Sequence, residues 1–172
     1  MANSSKAKGN AWEREVAKYL TGLYGEPFLR VIGSGAFVGG ANKSRMTKMN
    51  DHQGKAHKGD ITPPDAWMFW NAEAKNYADF KFHHLLLGRT YPLDGWITQM
   101  KEVEKEGDLN IIMIKITRKG KYVMVPGHHE WTVDGVGHYN YHSEQHGHWI
   151  MFDFDLFWAH NKDIVKKICI GD

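Results

Sequence analysis

Apolar positions between residues 12 and 23 recur at helical spacing: Trp12, Val16, Tyr19, Leu20 and Leu23 form one stripe, with Gly22 and Gly25 near its end. Residues 28–32 read as a short strand that stops at Gly33-Ser34-Gly35. From 36 to 59 large apolar residues are scarce while Gly, Asn and Lys abound, which predicts a long loop. Residues 60–62 and 66–73 are expected to be two strands joined by the turn Pro63-Pro64-Asp65. Trp96, Met100 and Val103 mark a helix over 94–106, ended by Gly107. Residues 110–117 and 121–125 form a predicted hairpin around Arg118-Lys119-Gly120, and 149–154 an edge strand. Asp155 is then expected to cap a last helix carrying Leu156, His160, Ile164 and Ile168. Strands alternating with helices imply an α/β domain with a central mixed sheet flanked by helices.

Composition narrows this further. With 172 residues, 42% of them hydrophobic and 13% aromatic, one domain can bury a core without disulfides. The lone Cys169 and the lack of any Cys-x-x-Cys favour a reducing compartment and no zinc-thiolate site. No apolar run reaches membrane-span length and the N-terminus lacks a signal-peptide core, so a soluble cytoplasmic protein is expected. The net charge of +2 conceals an asymmetry: residues 1–60 carry ten Lys or Arg against five Asp or Glu, the remainder twelve against fifteen. Lys43, Arg45, Lys48, Lys55 and Lys58 lie in the 36–59 loop, whose only acid is Asp51. Such a loop is either a phosphate-contacting arm or a surface insertion.

The chemistry concentrates in Asp60 and, thirteen residues on, Glu73-Ala74-Lys75. Side chains two apart on a strand share a face, so Lys75 joins Glu73. An aspartate at the end of a partner strand lets the two carboxylates share a divalent cation, with Lys75 beside it to orient or deprotonate a water. Glu13, at the edge of the first helix stripe, is a third candidate acid. Asp65 is a rival for Asp60, since Pro64-Asp65 precedes Glu73 by eight residues; two prolines suit a turn better than a site strand. Six of the eleven histidines fall in a polar segment at about 127–148. There His142, His146 and His148 could ligate zinc, while Tyr139, Asn140 and Tyr141 could meet nucleotides or a partner.

Lys8-Gly9 followed by Glu13-Arg14-Glu15, then Arg30, Ser34-Gly35, Asp60, Glu73 and Lys75, resembles the archaeal-type Holliday-junction resolvases of the PD-(D/E)XK nuclease superfamily over about the first 105 residues. One departure is that some two dozen residues separate Ser34-Gly35 from Asp60. The resemblance implies a restriction-endonuclease-like core and a structure-specific endonuclease cutting four-way DNA junctions. Its Mg²⁺, replaceable by Mn²⁺, would be held by Asp60, Glu73 and the Ala74 carbonyl, with Glu13 contributing directly or through water. It further implies that Lys8, Arg30 and Ser34 contact the cut strand and that Gln99 approaches the metal or the backbone. Paired cuts in one junction imply a homodimer. A phage origin would place the protein in the host cytoplasm. Other DNA endonucleases of the superfamily, or a DNA-binding protein without hydrolysis, are the alternatives.

Overall fold

Trp12, Val16, Ala17 and Leu20 are buried along one side of helix α1, Ala2–Tyr24, which begins ten residues before the predicted stripe because nothing stronger than Gly9 interrupts it. A computed structural model of the protein describes residues 2–31, 58–89 and 92–172. The end of α1 is fixed locally: the Thr21 hydroxyl donates to the Ala17 carbonyl at 2.8 Å and accepts from the Phe28 N–H at 3.0 Å. The chain then enters β1, Leu29–Arg30, which pairs antiparallel with β2, Ile61–Thr62.

The main sheet has five strands. β3, Trp70–Tyr77, is one edge and runs parallel to β4, Leu109–Ile116, with α2, His83–Leu86, and α3, Leu93–Lys101, in the crossover. β4 turns back antiparallel into β5, Gly120–Pro126. Next to β5 lies β7, Gly147–Asp153, and outside it β6, His138–Ser143, giving the order β3-β4-β5-β7-β6. Helix α4, Phe154–Ile170, follows. This is the expected α/β architecture, a mixed sheet between helices. One face, with Trp70, Ala72, Ile111, Met113 and Val123, packs with α1 and α4 into an aromatic-rich core; the other, with Ile112, Ile114 and Met124, packs on α3.

Several boundaries differ from expectation. Residues 66–69 continue the turn, with Trp67 N–H donating to the Pro64 carbonyl at 3.0 Å, so the Glu73 strand starts at Trp70 and runs on through Tyr77. β2 is not its hairpin partner; β2 pairs with β1. β7 is interior, and the edge is β6, in the segment expected to be a His-rich loop. Its exposed His138, Asn140 and His142 alternate with buried Tyr141 and Ser143, a one-sided strand whose polar face reads as loop. Asp153, not Asp155, caps α4, accepting from the Leu156 N–H at 3.0 Å. The buried stripe of α4 is Phe154, Phe157, Trp158, Asn161, Val165 and Cys169, which turns Leu156 and His160 outward. No described helix is long and apolar enough to cross a membrane.

Candidate active site

Asp60 is positioned by its backbone. Its N–H donates to the Ala72 carbonyl at 2.9 Å, and its own carbonyl accepts from Val31 N–H at 2.9 Å, so it bridges the small sheet and the open edge of β3. Gly59 makes this approach possible. Its φ is +66°, and a Cβ there would lie 2.3 Å from the Ala72 carbonyl oxygen. The Asp60 carboxylate accepts from Ala74 N–H at 2.9 Å. In a strand the N–H and C=O of one residue point to the same side, so the Ala74 carbonyl opens beside Asp60.

Glu73 and Lys75 leave β3 toward α3. Lys75 Nζ lies 2.9 Å from Glu73 Oε2 and 2.8 Å from Gln99 Oε1. The register of α3 that delivers Gln99 is held by Asn71, whose amide donates to the Met100 carbonyl at 3.3 Å and to Asn110 Oδ1 at 2.8 Å. Asp60 and Glu73 are only 9% and 6% exposed. Burial, and then the charge of Asp60, push the Glu73 carboxyl up to about 7 against the opposing pull of Lys75. Two buried carboxylates in mutual contact, beside a backbone carbonyl and with one ammonium to offset them, form a hard-oxygen donor set deficient in positive charge. That set fits a divalent cation.

Glu13 is placed differently. Arg30 Nε hydrogen-bonds its carboxylate, and the Arg30 guanidinium also donates to Asn10 Oδ1 at 2.6 Å. Burial raises the Glu13 carboxyl above the usual carboxylate range, Arg30 opposes this, and the charge of Asp60 adds to it. Glu13 thus feels Asp60 while its side chain is held by Arg30. Among the described residues no three His, Cys, Asp or Glu side chains are gathered to hold a metal.

The remaining candidates divide. Gln99 joins the site, whereas Lys8 is exposed on the other flank of α1, its carbonyl accepting at 3.0 Å from Nδ2 of Asn76, on the opposite face of β3 from Glu73 and Lys75. Lys58, expected on a phosphate-contacting arm, is instead 5% exposed and paired with the buried Asp108 carboxylate. Desolvation makes such an ammonium costly unless paired, so the fold keeps it for Asp108. Ser34, Lys43, Arg45, Lys48 and Lys55 lie outside the described residues. Asp65 sits exposed in the turn after β2, away from the contacts that join Asp60 to β3. His142 and His148 stack on each other with centroids 4.6 Å apart, and His146 pairs with the Thr98 hydroxyl at 2.9 Å. The sequence reading missed Asn10, Gly59, Asn71 and Asn110. The need for each of them comes from a partner elsewhere in the chain, as with the Ala72 carbonyl against Gly59.

The family described as "Phage putative PDDEXK endonuclease" matches residues 4–166. The chain belongs to this family. No curated protein and no solved structure matches it. The span matched to this PDDEXK endonuclease family runs from the first turn of α1 well into α4 and includes the β5–β7 half of the sheet.

Proposed function

We propose that the protein is a metal-dependent, structure-specific endonuclease that resolves four-way DNA junctions by paired phosphodiester hydrolysis, acting as a homodimer. The observation that carries the hydrolytic part is the continuous chain Asp60, Glu73, Lys75, Gln99 at the open edge of β3. Asp60, Glu73 and the Ala74 carbonyl would hold Mg²⁺, or Mn²⁺ in its place. A divalent cation bound there supplies Lewis acidity and neutralises charge on the phosphate. Lys75, aimed by Gln99 and Glu73, orients the attacking water and meets the negative charge that develops on the phosphate. Arg30, fixed by Glu13 and Asn10, faces the strand to be cut; by sequence position Lys8, Ser34 and the cations between 43 and 55 are further candidates for phosphate contact. Glu13 acts chiefly by holding Arg30.

The junction preference rests on the order Lys8, Glu13, Arg30, Ser34-Gly35, Asp60, Glu73, Lys75. A second reading, another PD-(D/E)XK endonuclease of restriction, repair or recombination type, is favoured by the family description, which names an endonuclease and no junction. Incubating labelled four-way junction, linear duplex and single strand with Mg²⁺ or with chelator separates them. Symmetric paired nicks in the junction alone, lost with chelator, are expected. Equal cutting of linear duplex would favour the second reading, and no cutting of any substrate with Mg²⁺ or Mn²⁺ would leave a DNA-binding protein.

A further inference from the structure

On the flank of α1 opposite Arg30, the fold forms an open cleft of about 560 Å³ between α1, the end of β3 and the β4–β5 hairpin. Lys8, Lys115, Arg118 and Lys121 line it, with Glu15 as its one acid and Asn76 on its wall. Three of these four cations come from a part of the chain whose overall balance is acidic; only the hairpin gathers them. Lys115 is held with its ammonium 5.2 Å from the Trp12 ring centre and 2.5 Å from Glu15. Lys121 lies 5.0 Å from the Phe154 ring centre. Lys121 also lies 3.7 Å from the exposed Asp155 carboxylate, as Lys115 does beside Glu15; exposed pairs of this kind are weak and can be exchanged for a phosphate, while the aromatic faces keep the two ammonium groups in place. Arg118 has φ +62°, a left-handed conformation that Gly or Asn would adopt at less cost. Among the described residues it has no ion-pair partner, so no ion pair between them accounts for an arginine at this turn.

The cleft also adjoins the site. Asn76 follows Lys75 in β3 and turns to the opposite face, so a strand crossing the end of β3 passes from the Glu73–Lys75 face into the cleft. From Glu73 to Asn76 is roughly 10 Å along the strand, about three nucleotides of rise at about 3.4 Å each.

We infer that this cleft is a second phosphodiester-backbone site, gripping the DNA strand about three nucleotides from the cut through Lys115, Arg118 and Lys121. The inference rests on the nuclease reading above. The test is salt-dependent binding of a labelled four-way junction to Asp60→Asn protein with and without Lys115→Gln, Arg118→Gly and Lys121→Gln. Arg118→Gly removes charge while relieving the backbone. The slope of log affinity against log salt should fall by about 0.9 for each lost phosphate contact, two or three in all. A second arm needs no hairpin substitution: neutral methylphosphonates placed singly along the strand should weaken binding at about the third to fifth phosphate on one side of the cut. Those positions should become neutral once the hairpin cations are gone. DNA binding with an unchanged slope and no sensitive phosphate on either side overturns the cleft and leaves the nuclease reading standing. Failure of the Asp60→Asn parent to bind any DNA overturns both.

Discussion

The two faces of β3 are made by one eight-residue strand, yet they differ in everything but backbone. Trp70, Ala72 and Ala74 enter a layer with Trp12, Phe28, Trp67 and Trp158, where the rings meet edge to face. Asn71, Glu73 and Lys75 enter the other layer as a polar ladder, though the neighbouring strand offers Ile112 and Ile114 on that same face. Burying amide, carboxylate and ammonium groups costs stability unless each finds a partner. Here Asn110, Lys75 and Gln99 supply partners, but Glu73 and Asp60 remain too negative together. The first face holds the strand in place; the second gives up stability to keep a charged site at an edge that DNA can reach.

Substitutions on the two faces should break this division most visibly. Asp60→Asn or Glu73→Gln should lower cleavage by at least about 10² to 10⁴, the range spanned by loss of a group that handles a proton or its water, while the folded protein still binds DNA as well or better. Single-turnover cleavage and gel-shift titration read the two effects. On the aromatic face Trp158, fully buried against Tyr24, Phe154 and Phe157, should do the reverse. Trp158→Ala should cost about 3–5 kcal/mol in urea unfolding. Were Trp158→Ala to spare stability and Glu73→Gln to unfold the chain, the roles of the faces would be exchanged.

A smaller effect sharpens the cost borne by the polar face. Glu73 ionises near 4.5 in the unfolded chain but at about 7 in the fold, so its contribution to stability is present at low pH and is lost as pH rises through 7. Glu13 is shifted the same way. Metal-free protein should therefore be less stable at pH 8 than at pH 5 by about 2–3 kcal/mol from Glu73. Urea midpoints in chelator at the two pH values measure this. Glu73→Gln should flatten the difference, and Mg²⁺ at pH 8 should restore stability to the parent but not to the variant. A parent equally stable at both values would mean that the carboxylates are not in conflict.

Much of the polar face was legible because its spacing is local. Glu73 and Lys75 share a face by strand geometry alone, and the thirteen residues back to Asp60 suffice for a turn. The features that escaped depend on distant partners. Lys58 sits at the end of a run of cations that reads as a phosphate-contacting arm, yet its partner Asp108 lies 50 residues away. Gly59 is a bare glycine until the Ala72 carbonyl is set against it. Asn71 and Asn110 look like ordinary strand asparagines until the parallel register pairs them. β6 and α4 were misread for a simpler reason: exposed His138, Asn140 and His142 hide a strand's alternation, and a stripe begun at Leu156 in place of Phe157 rotates the helix away from its buried side.

The finest test lies within α3, where Gln99 and Ile97 are two residues apart and serve different ends. Ile97 is fully buried against the apolar part of the sheet, whereas Gln99 presents its carbonyl oxygen to Lys75. A hydrogen bond to a charged group contributes about 1.5–3 kcal/mol where it is fully felt; the exposure of this pair argues for the lower end, roughly tenfold in rate. Gln99→Ala should therefore lower the single-turnover rate about tenfold and leave DNA affinity and urea stability nearly unchanged, because Lys75 keeps its contact with Glu73 but loses the partner that fixes its direction. Ile97→Val should cost about 0.5–1.5 kcal/mol of stability with no change in rate. If both variants lost stability and rate together, α3 would be acting as one packing element, and Gln99 would have no separate part in aiming the lysine.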